Sequence, residues 1–171
     1  HEASKNGHIE VVKYLIEQYH ANIEAKDKYD STPLHSASIN DHIDIVKYLI
    51  ERCHADIEVK DKNGWTPLLI ASNNGHLEVV KYLIEQCHAN IEAKDKYGDP
   101  LLHIASRNGH IEIIKYLIEH CHTNVETKDK NGMTPLHRVS RSGLIEVVKY
   151  LIEQYNADVE AKDNDGRTPL H

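Results

Sequence analysis

No apolar run in this 171-residue chain approaches the roughly 18–20 residues that cross a bilayer. No signal-peptide pattern opens it, and the first residue is not methionine, so a piece of something longer is expected. Net positive charge is missing too. Twenty basic residues stand against 27 acidic ones, a formal charge of −7, whereas a binder of phosphate backbones needs a positive surface. Cysteine is scarce and odd in number, three in all, so the thiols cannot all pair internally. A reducing, intracellular and cytoplasmic setting is the simpler expectation. The patterns G-x-S-x-G, H-E-x-x-H and G-x-x-x-x-G-K-S/T do not occur. The expectation is a monomeric, non-enzymatic protein with no cofactor, no metal, no nucleic acid partner and no membrane insertion.

What the chain does have is a period of 34 residues. Five copies open at His1, His35, Leu69, His103 and His137 without interruption, and His171 opens a sixth. Divided at the turns, residues 28–61, 62–95, 96–129 and 130–163 are full repeats of one domain, flanked by partial repeats 1–27 and 164–171. Each copy parses alike. Thr32-Pro33 is a helix start, a hydroxyl N-cap followed by proline where its missing N–H is harmless. A short helix buries Leu34 and Ala37 and stops near Asn40–Asp41. A second helix begins near His42, which is placed to cap it. Ile43, Val46, Leu49, Ile50 and Cys53 line one side of that helix. The stretch "KDKNG" then turns. One unit cannot bury its own stripe but stacked units can, so an elongated array with a continuous core is expected.

"TPLH" at Thr32–His35, Thr134–His137 and Thr168–His171, with "ASNNGHLEVVK" at Ala71–Lys81, resembles the ankyrin repeat, and the match recurs in every copy. The resemblance implies an all-α repeat solenoid of stacked helix–turn–helix units with short hairpin-like fingers and a concave face that binds other proteins. It also implies that the TPLH histidine hydrogen-bonds backbone and ties neighbouring units. Two features depart from the family: the period is 34 rather than the usual 33, and the glycine after the second helix is replaced by pairs such as Cys87-His88.

Those pairs invite a metal or catalytic reading, which the repeat argues against. The last column holds His20, His54, His88, His122 and Asn156, residue types that tolerate positive φ, so a backbone role is expected. The preceding column alternates Tyr19, Cys53, Cys87, Cys121 and Tyr155, and tyrosine cannot replace a soft metal ligand. Packed repeats stand roughly 8–10 Å apart, too far to share a tetrahedral zinc. The second helix is accordingly expected to run up to one residue longer than in a 33-residue repeat and to end at this pair. Asp30 and Asp41 stand where other copies have glycine and are also expected at positive φ. In "GDPLLH" the proline comes one place early, and a helix start shifted back by one residue, capped by Asp99, is expected.

Function is sought in the columns that vary between copies. The first holds Lys5, Ile39, Asn73, Arg107 and Arg141, on the first helix. The second holds Tyr29, Asn63, Tyr97, Asn131 and Asp165, at the finger. The third holds Ser31, Trp65, Asp99, Met133 and Arg167, just past it. Ile39, Trp65 and Met133 are costly to expose idly, and aromatic, Met and Arg side chains anchor interfaces. The resemblance places these columns on the family's binding surface, so a protein or peptide partner is expected there. Ile39, Trp65, Ile70 and Tyr97 make the first half apolar. Arg107, Lys130, Arg138, Arg141 and Arg167 make the second half basic, which suits a partner with an apolar anchor followed by acidic residues. The alternatives are a structural spacer or elastic array, favoured by the near-identity of the copies, and a recognition arm of a larger protein. The invariant Tyr14, Tyr48, Tyr82, Tyr116 and Tyr150 read as packing.

Overall fold

The computed structural model describes all residues, 1–171. Ten helices follow in order: α1 Glu2–Lys5, α2 Ile9–Tyr19, α3 Pro33–Ile39, α4 Ile43–Glu51, α5 Pro67–Asn74, α6 Leu77–Glu85, α7 Leu101–Asn108, α8 Ile111–Glu119, α9 Pro135–Arg141 and α10 Ile145–Tyr155. They form two compact units, His1–Lys96 and Tyr97–His171. In the first, α1, α3 and α5 lie side by side in one layer and α2, α4 and α6 in another, each first helix resting on its own second helix. In the second unit α7 packs on α9, with α8 and α10 backing them.

The layers meet over small and branched side chains. Ala37 and Ala71 of the first helices, and Ile45, Val46, Leu49, Val79, Val80 and Leu83 of the second, are fully buried in the first unit. Ala105, Val139, Ile113, Ile114, Leu117 and Leu151 do the same in the second. A residue without a long side chain lets neighbouring first helices approach closely enough for native packing density.

The first helices start as the Thr-Pro pattern predicts. Thr32 and Thr134 are extended N-caps in capping boxes, with His35 and His137 as the reciprocal partners, and Thr66 accepts the Leu69 amide at 3.3 Å. The second helices end as the αL reading predicts. His20, His54, His88, His122 and Asn156 all have φ between 51° and 58°. In every copy the residue after them bonds back to the leucine six positions earlier, as Ala55 to Leu49 at 3.0 Å and Ala89 to Leu83 at 2.9 Å. That is the Schellman closure, and it satisfies a carbonyl left over at the helix end.

Four expectations are corrected. The fingers are not β-hairpins: no strand forms anywhere. Each finger is instead a tight turn closed by its own aspartate. Asp61 Oδ1 accepts the amides of Asn63 and Trp65 at 2.7 and 3.0 Å, and the turn itself has two backbone bonds, Asp61 N–H to Trp65 O at 3.0 Å and Gly64 N–H to Asp61 O at 2.9 Å. A hairpin needs arms long enough to build a ladder, and these arms have none. Second, helix length at the C-terminus depends on the tyrosine–cysteine column. α2 and α10 reach Tyr19 and Tyr155, but α4, α6 and α8 stop two residues before Cys53, Cys87 and Cys121. Tyr19 and Tyr155 meet Tyr14 and Tyr150 edge to face at 5.5 and 5.4 Å, which holds the last turn. Cys53 and Cys87 meet Tyr48 and Tyr82 through a thiol hydrogen bond instead of a ring contact.

Third, α7 does not slip back. Leu101 is its first residue, in register with Pro67 and Pro135, and Pro100 occupies the threonine's cap position without a capping side chain. Asp99 is buried beside arginines rather than capping. Fourth, His42 and His76 precede α4 and α6 but make no cap hydrogen bond. Their rings reach elsewhere, as described below.

Asp30 and Asp41 have φ of 61° and 59°, as expected. An L side chain in this region is held at a cost that glycine avoids. Asp30→Gly and Asp41→Gly should therefore keep stability or raise it by up to about 1 kcal/mol each, with the melting temperature held or raised. Thermal denaturation of the two variants checks this, and a clear loss in both would mean the carboxylates make contacts that outweigh backbone strain.

Candidate functional site

The three variable columns share one structural property: their backbone carbonyls are held by a neighbouring repeat, the preceding one for the third column and the following one for the first and second. In the third column, a TPLH histidine donates Nε2–H to the carbonyl of Trp65 (His35, 3.0 Å), Met133 (His103, 2.8 Å) or Arg167 (His137, 3.1 Å). His1 bonds Ser31 O in the same way at 2.6 Å. In the first column, His42 Nε2 holds Lys5 O and His76 Nε2 holds Ile39 O, both at 2.9 Å. Leu144 occupies this histidine column one repeat after His110 and brings no side-chain donor, but Ser142 Oγ supplies the bond to Arg107 O at 3.0 Å. In the second column the amides of the following finger serve. Lys62 N–H reaches Tyr29 O at 3.0 Å, Lys96 N–H reaches Asn63 O at 2.8 Å and Asn164 N–H reaches Asn131 O at 2.9 Å. Histidines that looked like candidate ligands thus position the backbone from which the variable side chains project.

The TPLH ring works in one tautomer. The Thr32 amide donates to His35 Nδ1 at 3.1 Å, so Nδ1 is the acceptor and Nε2 carries the hydrogen that Trp65 O receives. Thr134 and His137 repeat the arrangement. Burial holds the His35 and His103 imidazoles below the usual histidine range, and a proton on Nδ1 of His35 would also face the Thr32 amide. His103 is the exception in the row. Pro100 brings neither an amide hydrogen nor a hydroxyl, and Nδ1 of His103 is buried without a partner.

The sequence-predicted residues do not all present side chains. Ile39, Tyr29 and Tyr97 are about half exposed, at 45%, 56% and 53%. Trp65, Met133, Ser31 and Asn73 are half-buried, while Asn63, Asn131, Arg141 and Arg167 are exposed. Asp99 is buried, and with it goes the basic half of the surface that the sequence suggested. Its carboxylate lies 3.1 Å from Arg107 Nη1 and 2.9 Å from Arg138 Nη2, and Arg138 also pairs with Asp129. The side chains of Asp99, Asp129 and Arg138 are 6%, 0% and 12% exposed. Burial alone would raise the Asp129 carboxyl, but the Met133 and Asn131 amides and the Arg138 guanidinium outweigh it and hold it below the carboxylate range. Arg167 meets Asp165 at 3.1 Å in the open, where an ion pair contributes little. The basic half is therefore largely neutralised internally.

The tyrosine column is structural. Tyr48, Tyr82 and Tyr150 donate their hydroxyls to Glu17, Glu51 and Glu119 of the preceding repeat, at 2.9, 2.9 and 2.7 Å. Burial and the Glu17 carboxylate push the Tyr48 phenol up to about 12. Burial likewise pushes the Cys53 and Cys87 thiols up, so the reactive thiolate is disfavoured at both.

The family model described as Ankyrin repeats (3 copies) matches residues 1–61, 50–129 and 102–171, which together span the chain. The chain belongs to the ankyrin repeat family. No curated protein matches it. As an ankyrin-repeat module it is non-enzymatic, in keeping with a role in protein–protein interaction. No helix is long and apolar enough to cross a membrane.

Two outcomes follow from the buried groups. Asp99→Ala should destabilise the protein by about 3 kcal/mol, the lower end for breaking a buried pair, because Arg138 keeps Asp129. Denaturant unfolding measures this, and a loss near zero would mean the network carries no stability. His35 and His103 have folded pKa values below the unfolded value of about 6.5. The unfolded chain takes up those protons first, so stability should fall as pH drops from about 7 towards 5. His103→Leu, with the residue that Leu69 already places in this column, should flatten that dependence in unfolding curves at pH 7, 6 and 5.

Proposed function

We propose that this ankyrin-repeat array binds a protein or peptide partner along the concave face and finger tips, with Trp65 as the main anchor. Ile39, Tyr29, Tyr97, Asn63, Asn73, Asn131, Met133, Arg141 and Arg167 surround it in the reading. One observation supports it: the side chains that differ between copies stand on carbonyls held by donors of a neighbouring repeat. A fixed backbone bearing varied side chains is pre-organised, and pre-organisation lowers the cost of association. Arg107 and Asp99 now belong to the ion-pair network rather than to the contact surface. A cytoplasmic location goes with this reading and is supported by three cysteines that form no disulfide.

The test is capture of a partner by the wild-type chain and by variants. Trp65→Ala should weaken binding by about 2 kcal/mol or more, as loss of a central aromatic anchor does. The fold should persist, because the Trp65 contribution to the repeat tie is its carbonyl, which alanine keeps. Arg141→Glu should mainly slow association and change its salt dependence. Binding that survives both substitutions but is lost on altering Tyr48 and Tyr82 would move the working surface to the second helices.

A further inference from the structure

The second helices α2 and α10 are the same eleven residues, IEVVKYLIEQY, and bury them differently. In α10, Val147 and Leu151 are 3% and 0% exposed, and Tyr150 donates to Glu119 of the preceding repeat at 2.7 Å. In α2 the equivalent Val11 and Leu15 are 48% and 42% exposed. One sequence in one helical form gives two burials, so the difference is the neighbour. The far side of α10 shows the converse. Leu170 is 95% exposed where its equivalent Leu136 is 2%. Val148 and Ile152 are half-buried where Ile114 and Ile118 are buried. Ile145, Val148, Ile152, Val159 and Leu170 line an open groove of about 540 Å³. Contiguous apolar surface of this kind marks a place where something docks.

Polar groups on the two faces lack the partners that the repeat gives their equivalents. The His8 ring stands in the column where His42 and His76 hold carbonyls at 2.9 Å, and it holds none. Arg141 O stands where Lys5 O and Ile39 O receive that bond, and it receives none. Tyr14 has no glutamate such as Tyr48, Tyr82 and Tyr150 reach, and Glu153 has no tyrosine such as Glu17, Glu51 and Glu119 receive. At the fingers, the Lys28 amide and the Asp165 carbonyl are left over from the row in which Asn164 N–H meets Asn131 O at 2.9 Å. His8, Tyr14 and Lys28 are donors on the α2 side. Arg141, Glu153 and Asp165 are the matching acceptors on the α10 side.

We infer that copies of this chain associate head to tail, the α2 face of one copy packing on the α10 face of the next. The inference goes beyond the partner-binding reading and does not rest on it. The occupant is a second copy because the contact continues an interface that the chain already builds between its own repeats. The apolar columns are the same, and each unmet donor finds its acceptor in the same register. An unrelated protein would have to reproduce those spacings together with the apolar stripe. In this register His171 of one copy and His1 of the next claim one place, and the exposed His171 gives way. The two faces differ, so the contact is heterologous, and addition continues past a dimer unless the assembly closes into a ring.

Sedimentation velocity of the chain from about 1 μM to about 200 μM tests this. The wild-type mass should rise with concentration, and a chain that stays monomeric throughout overturns the inference without recourse to any variant. Val11→Glu with Leu15→Glu blocks the α2 face, and Val159→Glu with Leu170→Glu blocks the α10 face. All four positions are exposed, so circular dichroism should remain that of the wild type. Each double variant alone should stay monomeric. An equimolar mixture of the two should give a 1:1 dimer and nothing larger, because each supplies the face the other lacks. A double variant that dimerises by itself would show pairing of like faces and overturn the inference, as would a mixture no heavier than its parts. Trp65→Ala should leave assembly unchanged. Assembly lost with that substitution would move the contact to the variable columns and also overturn the inference. Partner capture by the same variant tests the anchor surface separately.

Discussion

Everything in this protein hangs on one recurring bond, a donor from one repeat reaching a backbone carbonyl of its neighbour. Three such bonds recur, one under each variable column: a TPLH histidine, a second histidine or its serine stand-in, and a finger amide. A backbone carbonyl is the same in every residue type, so the bond survives whatever side chain occupies the position. Trp65, Met133 and Arg167 accept the same contact from His35, His103 and His137. Stacking is thereby separated from sequence at the positions where sequence is free to change. The separation also fixes the chemistry of the histidines. A ring that accepts from a threonine amide and donates to a carbonyl must be neutral, and burial enforces the same state.

The third repeat shows what the arrangement tolerates. Moving proline into the threonine column removes an amide and a hydroxyl that the histidine would meet, and His103 Nδ1 is left unpartnered. A buried unsatisfied nitrogen costs about 1–3 kcal/mol. The same repeat supplies Asp99 and Asp129 to a buried cluster completed by Arg138 of the following repeat, an arrangement no other copy has. Such clusters are poor sources of net stability, since desolvation offsets much of the attraction. Their effect is geometric: Arg138 bridges the two carboxylates and holds the finger base of this unit against the first helix that follows.

How much was legible in the sequence depended on the range of the cause. The helix starts and the αL histidines come from local chemistry. Threonine before proline caps a helix wherever it stands, and a column that accepts both histidine and asparagine reports its own φ. The hairpin-like finger came from the family resemblance, whereas "KDKNG" by itself gives a turn, and a turn is what forms. Asp99 was misread because its fate is not local. Asp-Pro is a good cap pair in isolation, yet Arg138 lies 39 positions away and competes for the carboxylate. The basic half of the surface disappeared for the same reason: counting arginines along a column says nothing about the carboxylates folded beneath them. The division of labour among the histidines was half visible. Their recurrence marked them as structural, but that His76 reaches Ile39 rather than capping α6 required the neighbouring repeat to be in place.

A fixed carbonyl grid has a consequence for recognition. Side chains mounted on it are spaced by the repeat, so a partner meets a ladder of equivalent positions and can slide by one rung at little cost. Rows of identical groups do not specify register. Register must come from rungs that break the pattern. Trp65 is the largest such break and the only tryptophan in the chain. On the proposed reading, a single half-buried indole contributes position. On that reading, stacking resides in the residues that recur and specificity in the residues that do not.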